Sequence, residues 1–109
     1  MEVRRSKIQG AGLGVFATRN YLKDELIERS GFIVVQDTPD CLLGHCFDSG
    51  DPKKTWVYFG KMALINHSTE ENVYHCQDHE RILEFYAKEN IKRGKEFVIN
   101  YGENAEEAF

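Results

Sequence analysis

Apolar residues in this chain come in short runs, and glycine, asparagine or aspartate interrupts them before an amphipathic helix could complete. Val15-Phe16-Ala17-Thr18, Phe32-Ile33-Val34-Val35, Trp56-Val57-Tyr58-Phe59 and Phe97-Val98-Ile99-Asn100-Tyr101 are rich in β-branched and aromatic residues. Such residues fit a pleated, half-buried surface and lose side-chain freedom in a helix. Asn72-Val73-Tyr74-His75-Cys76 and Arg81-Ile82-Leu83-Glu84-Phe85-Tyr86-Ala87 read as a strand pair, with Gln77-Asp78-His79-Glu80 as the turn between them. Val3 to Ile8 reads as a charged edge strand. Leu26-Ile27-Glu28 and Phe32 to Val35 are separated by Ser30-Gly31, which leaves open two strands or one bulged strand. Thr38-Pro39-Asp40 predicts the start of a short helix, with Thr38 as N-cap and Pro39 in the first position. Ile91 to Glu96 reads as a turn, and Glu103 to Phe109 as a helical turn or a tail. No internal repeat and no linker stand out. The pattern predicts a mainly β chain with little helix, and residues 1–109 as one small domain.

Composition removes several function classes. The formal net charge of −4 argues against direct nucleic-acid binding, which needs a basic face. It is compatible with a basic peptide partner. No apolar run approaches the roughly 20 residues of a membrane helix. The N-terminal MEVRRSKIQG lacks the apolar core of a signal peptide. Cys41, Cys46 and Cys76 are an odd set without framework spacing, which predicts reduced thiols in an intracellular, cytoplasmic or nuclear setting.

Gly10-Ala11-Gly12-Leu13-Gly14 invites comparison with a phosphate-binding loop. The dinucleotide fingerprint needs G-x-G-x-x-G between a buried strand and a helix. Here the third glycine comes one residue early, a polar Arg4-Arg5-Ser6-Lys7 precedes it and a strand-like run follows. A bulge, a tight turn or backbone contact with another ligand remains open. For metals, His75, Cys76 and His79, or Cys41, His45 and Cys46, lack the paired C-x2-C spacing of structural zinc, so no metal is expected. There is no G-x-S-x-G elbow for a serine nucleophile. Taken alone, Asn66-His67-Ser68 reads as a helix C-cap or a turn, and Tyr101 beside Gly102 as a residue at the rim of a core.

Order and spacing add more. Gly12-Leu13-Gly14, then Asn66-His67-Ser68 with Asn72, then Asn90-Ile91-Lys92-Arg93-Gly94-Lys95-Glu96, then Tyr101-Gly102 resembles the SET-domain protein-lysine methyltransferases, from about Ser6 to Gly102. The size resembles the minimal viral and bacterial members. The resemblance implies small curved β-sheets, short helices and a C-terminal pseudoknot. It implies S-adenosyl-L-methionine as cofactor. Gly12, Leu13 and Gly14 would lie against its methionine end, and Asn66 and His67 would bind it through side chain and backbone. Tyr101 would be the catalytic tyrosine, and a lysine-containing protein or peptide, a histone or another basic partner, the substrate. The pseudoknot would bring Asn66-His67 and Tyr101 onto one site. Phe47, Trp56, Tyr58, Phe59, Phe85 and Tyr86 are the aromatics available to wall a lysine channel.

The chain departs from the family pattern in places. Glu71 stands where many members have proline, which would loosen that turn. Lys95 replaces the first acid of the G-E-E pattern, and Ile99 stands where many have phenylalanine or tyrosine, so the degree of methylation is not readable. Without a cysteine-rich tail, Glu103 to Phe109 or the second subunit of a homodimer would cover the cofactor. The rival reading is a catalytically silent SET-like module that holds a peptide or the cofactor.

Overall fold

The computed structural model describes residues 1–36, 46–48, 54–78 and 81–100. The helix expected from Thr38 and the tail from Glu103 lie outside them. Among the described residues the chain is mainly strand: β1 (Glu2–Arg5), β2 (Leu13–Phe16), β3 (Leu26–Gln36), β4 (Cys46–Asp48), β5 (Lys54–Tyr58), β6 (Asn66–His67), β7 (Val73–Asp78), β8 (Ile82–Ala87) and β9 (Val98–Ile99). A 3-10 turn, Lys61–Leu64, is the helical element among the described residues.

The largest sheet has the order β4-β5-β3-β8-β7. Its centre, β3, is one strand of 11 residues, which decides between the two readings of that stretch. Its first half pairs antiparallel with β8, up to Gly31 opposite Ile82. Its second half pairs antiparallel with β5, from Phe32 opposite Tyr58. Ser30-Gly31 therefore marks a change of partner, not a break. A bulge between Leu26 and Glu28 adds local twist, so the sheet curls.

Strand β8 shows why these segments are strands. Leu83, Phe85 and Ala87 are fully buried while the residues between them are partly exposed. That period of two fits a sheet with one face on the core. Phe85 and Tyr58 meet edge to face at 5.0 Å, with Met62, Ile65, Val73, Phe97 and Ile99 in the same buried cluster. Phe32 stacks on Trp56 at 4.4 Å. Tyr58 and Phe85, two of the aromatics available to wall a channel, are core residues, 3% and 0% exposed. Phe59 is instead 64% exposed.

Two turns face each other across the molecule. Tyr21 and Ile91 exchange both backbone hydrogen bonds, each 2.8 Å. Asn20 Oδ1 accepts the Arg93 N–H and Asn90 Oδ1 accepts the Lys23 N–H, both at 2.9 Å. The Gly94 N–H donates to Ala17 O and the Asp24 N–H to Ala87 O. Asp24 (φ 67°) and Gly94 (φ 89°) hold the matching left-handed position, which aspartate tolerates better than most residues. The two turns share only Ala-x-x-Asn (Ala17 to Asn20, Ala87 to Asn90), so the sequence shows no repeat where the backbone repeats a hydrogen-bond pattern.

The C-terminal segment is held on several sides. Phe97 N–H donates to Val15 O and Ala17 N–H to Lys95 O, and Phe16 bridges Glu96. Strand β9 then pairs parallel with β6, Asn66 opposite Val98 and His67 opposite Ile99. Beyond β6, the Ser68 N–H donates to Ile99 O and the Asn72 N–H to Val98 O.

Candidate functional site

The segment leading into Asn66 is fixed from β3. Glu28 accepts the backbone N–H groups of Lys61 (3.3 Å) and Met62 (3.1 Å). These donors open the 3-10 turn and have no partner within it. Gly60 is required beside them, because a Cβ there would run into the Glu28 carboxylate. Met62 and Ile65 face the core, and Asn66 emerges partly exposed on β6.

Asn66 reaches the glycine strand directly. Its Nδ2 donates to Leu13 O (2.9 Å) and to Glu96 Oε2 (2.9 Å). Two acceptors on that side assign the amide nitrogen there. Oδ1 is left without a hydrogen bond among the described residues. Glu96 in turn accepts the Ser6 hydroxyl, which lies 2.8 Å from one carboxylate oxygen and 2.9 Å from the other. Gly14 sits against this group: a Cβ would lie 2.6 Å from Glu96 Oε2 and 3.1 Å from Asn66 Nδ2. Gly12 has φ +75° and open space where a Cβ would stand, while the Leu13 side chain is 54% exposed. So the two glycines of Gly12-Leu13-Gly14 have different reasons: one makes room for the protein's own side chains, and the other presents bare backbone to open space.

His67 is paired through its backbone with Ile99. Asn72, 2% exposed, fastens the C-terminal segment from behind. Its Nδ2 donates to Glu96 O and its Oδ1 accepts the Val98 N–H, both at 2.9 Å. Glu71, expected to loosen this turn, instead tethers it: its carboxylate accepts from Lys88 Nζ (2.6 Å) and from the Asn100 N–H (3.1 Å). The Lys88 ammonium first, then the Asn100 N–H, holds the Glu71 carboxyl below its ordinary value.

Tyr101 lies outside the described residues, as do Cys41, His45 and His79. Asn100, its neighbour in the chain, is the residue the described backbone delivers. Among the described residues no group of three or more histidine, cysteine or acidic side chains gathers as for a metal ion. Sequence reasoning missed Ser6, Glu28 and Glu71 as anchors, and saw Glu96 only as part of a turn. The one signal for Glu96 was that it keeps the second acid of the G-E-E pattern.

The fold and the meeting of these segments define a class: a curled β protein in which a glycine strand, an Asn-His strand and a C-terminal strand converge. The chain belongs to the SET-domain family, whose model matches residues 12–102. Among solved structures it is similar to a candidate histone methyltransferase from Plasmodium falciparum, with 25% identity, TM-score 0.78, and 93% of this chain and 91% of that chain covered. It is also similar to polycomb repressive complex 2 from Chaetomium thermophilum, with 22% identity, TM-score 0.74, and 94% and 15% covered. A second structure of polycomb repressive complex 2, autoinhibited and bound to S-adenosylmethionine, matches with 22% identity, TM-score 0.73, and 94% and 15% covered. This chain thus spans about 15% of the length of the polycomb chains it matches. No curated protein matches the sequence significantly.

Proposed function

We propose that this chain transfers a methyl group from S-adenosyl-L-methionine to the ε-amine of a lysine in a protein or basic peptide. The observation that carries the reading is the direct bond from Asn66 to the backbone of the glycine strand, made where β6 and β9 pair. It gathers three of the motif segments at one place. The histone connection of the Plasmodium neighbour and the cofactor of the polycomb neighbour agree with it. No helix among the described residues is long and apolar enough to cross a membrane.

The residues fit the cofactor. Gly12 offers backbone with nothing within 4 Å of a would-be Cβ, so a ligand can lie flat there. Asn66 has both N–H groups engaged by Leu13 and Glu96, which turns Oδ1 outward as an acceptor for an ammonium group. The His67 main chain lies beside it. When bound, S-adenosylmethionine would supply a methyl carbon that takes the lone pair of the amine as its bond to the sulfonium sulfur breaks and the neutral thioether leaves.

The chain's own task is to present a neutral, aligned amine. Free lysine has a pKa of about 10.4, and a narrow apolar channel disfavours its ammonium form. Tyr101 orients the amine through its hydroxyl, a contact strongest at the transition state. Alignment alone supplies several of the roughly 7–11 kcal/mol available from proximity. No dedicated base is then required.

The test is Tyr101→Phe with a lysine peptide library and mass spectrometry. Methyl transfer should fall at least about tenfold, equal to about 1.4 kcal/mol of barrier. Cofactor affinity by calorimetry should hold within about threefold, the ring being kept. Cofactor binding with no transfer by the parent chain to any peptide would favour the silent binding module instead.

A further inference from the structure

Glu71 and Asn72 act on one edge of the C-terminal strand. In extended backbone, alternate N–H groups point the same way. Those of Val98 and Asn100 are both taken by side chains, Val98 by Asn72 Oδ1 and Asn100 by Glu71 Oε2. Asn72 is neutral and buried. Glu71 is a carboxylate with its side chain 24% exposed, and Lys88 fixes its other oxygen at 2.6 Å. The Lys88 backbone N–H also donates to Asn72 O at 2.8 Å. The end of β8, the 71–72 turn and the exit of β9 are therefore linked in one hydrogen-bonded group. His67 is a further titratable group close enough to act on the Glu71 charge.

We propose that Glu71 is a positioning residue for Tyr101: by accepting the Asn100 N–H it fixes the backbone of the residue that immediately precedes Tyr101 in the chain. This rests on the methyltransferase reading above. A charged acceptor makes a shorter, stronger bond than a neutral one. The bond is made one residue before the group that must meet the amine. Lys88 keeps the carboxylate from turning away to solvent. Proline at this position could stiffen the turn but could not accept the Asn100 N–H.

The experiment compares Glu71→Ala, Glu71→Gln and Lys88→Met with the parent chain at matched folded fraction. Glu71→Ala should lower kcat on a lysine peptide about tenfold, the order expected for a sub-ångström displacement of a reacting group. Its calorimetric affinity for S-adenosylmethionine should stay within about twofold, because the bonds of Asn66 are untouched. Glu71→Gln keeps one oxygen for the Asn100 N–H but sets its amide NH2 against the Lys88 ammonium, so kcat should recover in part, to between Glu71→Ala and the parent. Amide exchange at Asn100, read by NMR, should quicken in Glu71→Ala and return toward the parent rate in Glu71→Gln. A merely structural role would lower Tm without moving kcat per folded molecule. If Glu71→Ala does not fold, Lys88→Met replaces it, with a several-fold loss of kcat expected. Unchanged kcat in a folded Glu71→Ala, or in Lys88→Met used in its place, overturns the proposal while leaving the methyltransferase reading intact. A parent chain that transfers no methyl group overturns both.

Discussion

Asn72→Ala offers the sharpest test of how the C-terminal segment is held. The side chain is 2% exposed and joins Glu96 O and the Val98 N–H, each at 2.9 Å. Truncation leaves a part-buried carbonyl and a part-buried N–H without this partner. Each orphaned group costs roughly 1–3 kcal/mol, which brackets the loss at about 2–6 kcal/mol. The vacated volume is about that of an amide group, and a water entering it would recover part of the loss. We therefore expect about 3 kcal/mol, a large share of the roughly 5–15 kcal/mol of a small domain. In urea, with a slope of about 2 kcal/mol per molar, the midpoint should drop by about 1.5 M. Asn72→Asp should do no better near neutral pH, because a carboxylate can accept from Val98 but sets an oxygen against Glu96 O. Glu70→Ala, in the exposed part of the same turn, should stay within about 0.5 kcal/mol of the parent. A loss below about 1 kcal/mol for Asn72→Ala would refute the reasoning that two part-buried backbone groups depend on this one amide.

Two further outcomes follow from the same site. Gly14→Ala places a Cβ 2.6 Å from Glu96 Oε2, so the Glu96–Asn66 contact must open; we expect about 1–3 kcal/mol of lost stability and weaker cofactor binding, read by denaturant melts and calorimetry. Glu71 has a folded pKa below its ordinary 4.5, so its contribution is present above that value and is lost as pH falls through the lowered folded value; stability measured against pH should decline more steeply there in the parent than in Glu71→Gln.

Much of the strand pattern was legible because it is local. The alternation in Ile82 to Ala87 and the β-branched run at Phe32 to Val35 each carry their own periodicity. The change of partner at Ser30-Gly31 was not legible, since β3 keeps one conformation while its neighbours change, and neighbours are not written in a strand's own residues. The anchors of the site were hidden for a related reason. Ser6 and Glu96 lie at opposite ends of the chain, and they meet only because residues 15–17 pair with 95–97. Glu71 read as a departure from a family pattern. Its tether depends on Lys88 and Asn100, which reach it only once β8 and β9 are in place. The order of the motifs, by contrast, survived as a signal because it reflects the path of the chain and not any single contact.

The two glycines of the glycine strand have separable structural reasons. Glycines before an apolar run suggest backbone laid against a ligand, and that reading treats Gly12 and Gly14 alike. The structure separates them. A side chain at Gly14 would strike Glu96 and Asn66, so this glycine serves the protein's internal contacts whether or not a ligand binds. Gly12 meets no protein atom where a Cβ would stand, yet its φ of +75° would cost another residue about 1–2 kcal/mol. Between them the Leu13 carbonyl is already committed to Asn66. On the proposed methyltransferase reading, cofactor contact through this strand is best sought at the Gly12 backbone and at Asn66 Oδ1, while Gly14 and Glu96 would act one step back by fixing the orientation of the Asn66 amide. On this account, loss of Glu96 should weaken the cofactor through Asn66 without removing any atom that touches it. Glu96→Gln, which keeps an oxygen for both Ser6 and Asn66, should bind S-adenosylmethionine more tightly than Glu96→Ala by calorimetry. Equal affinities for the two variants would show that the amide of Asn66 needs no such support.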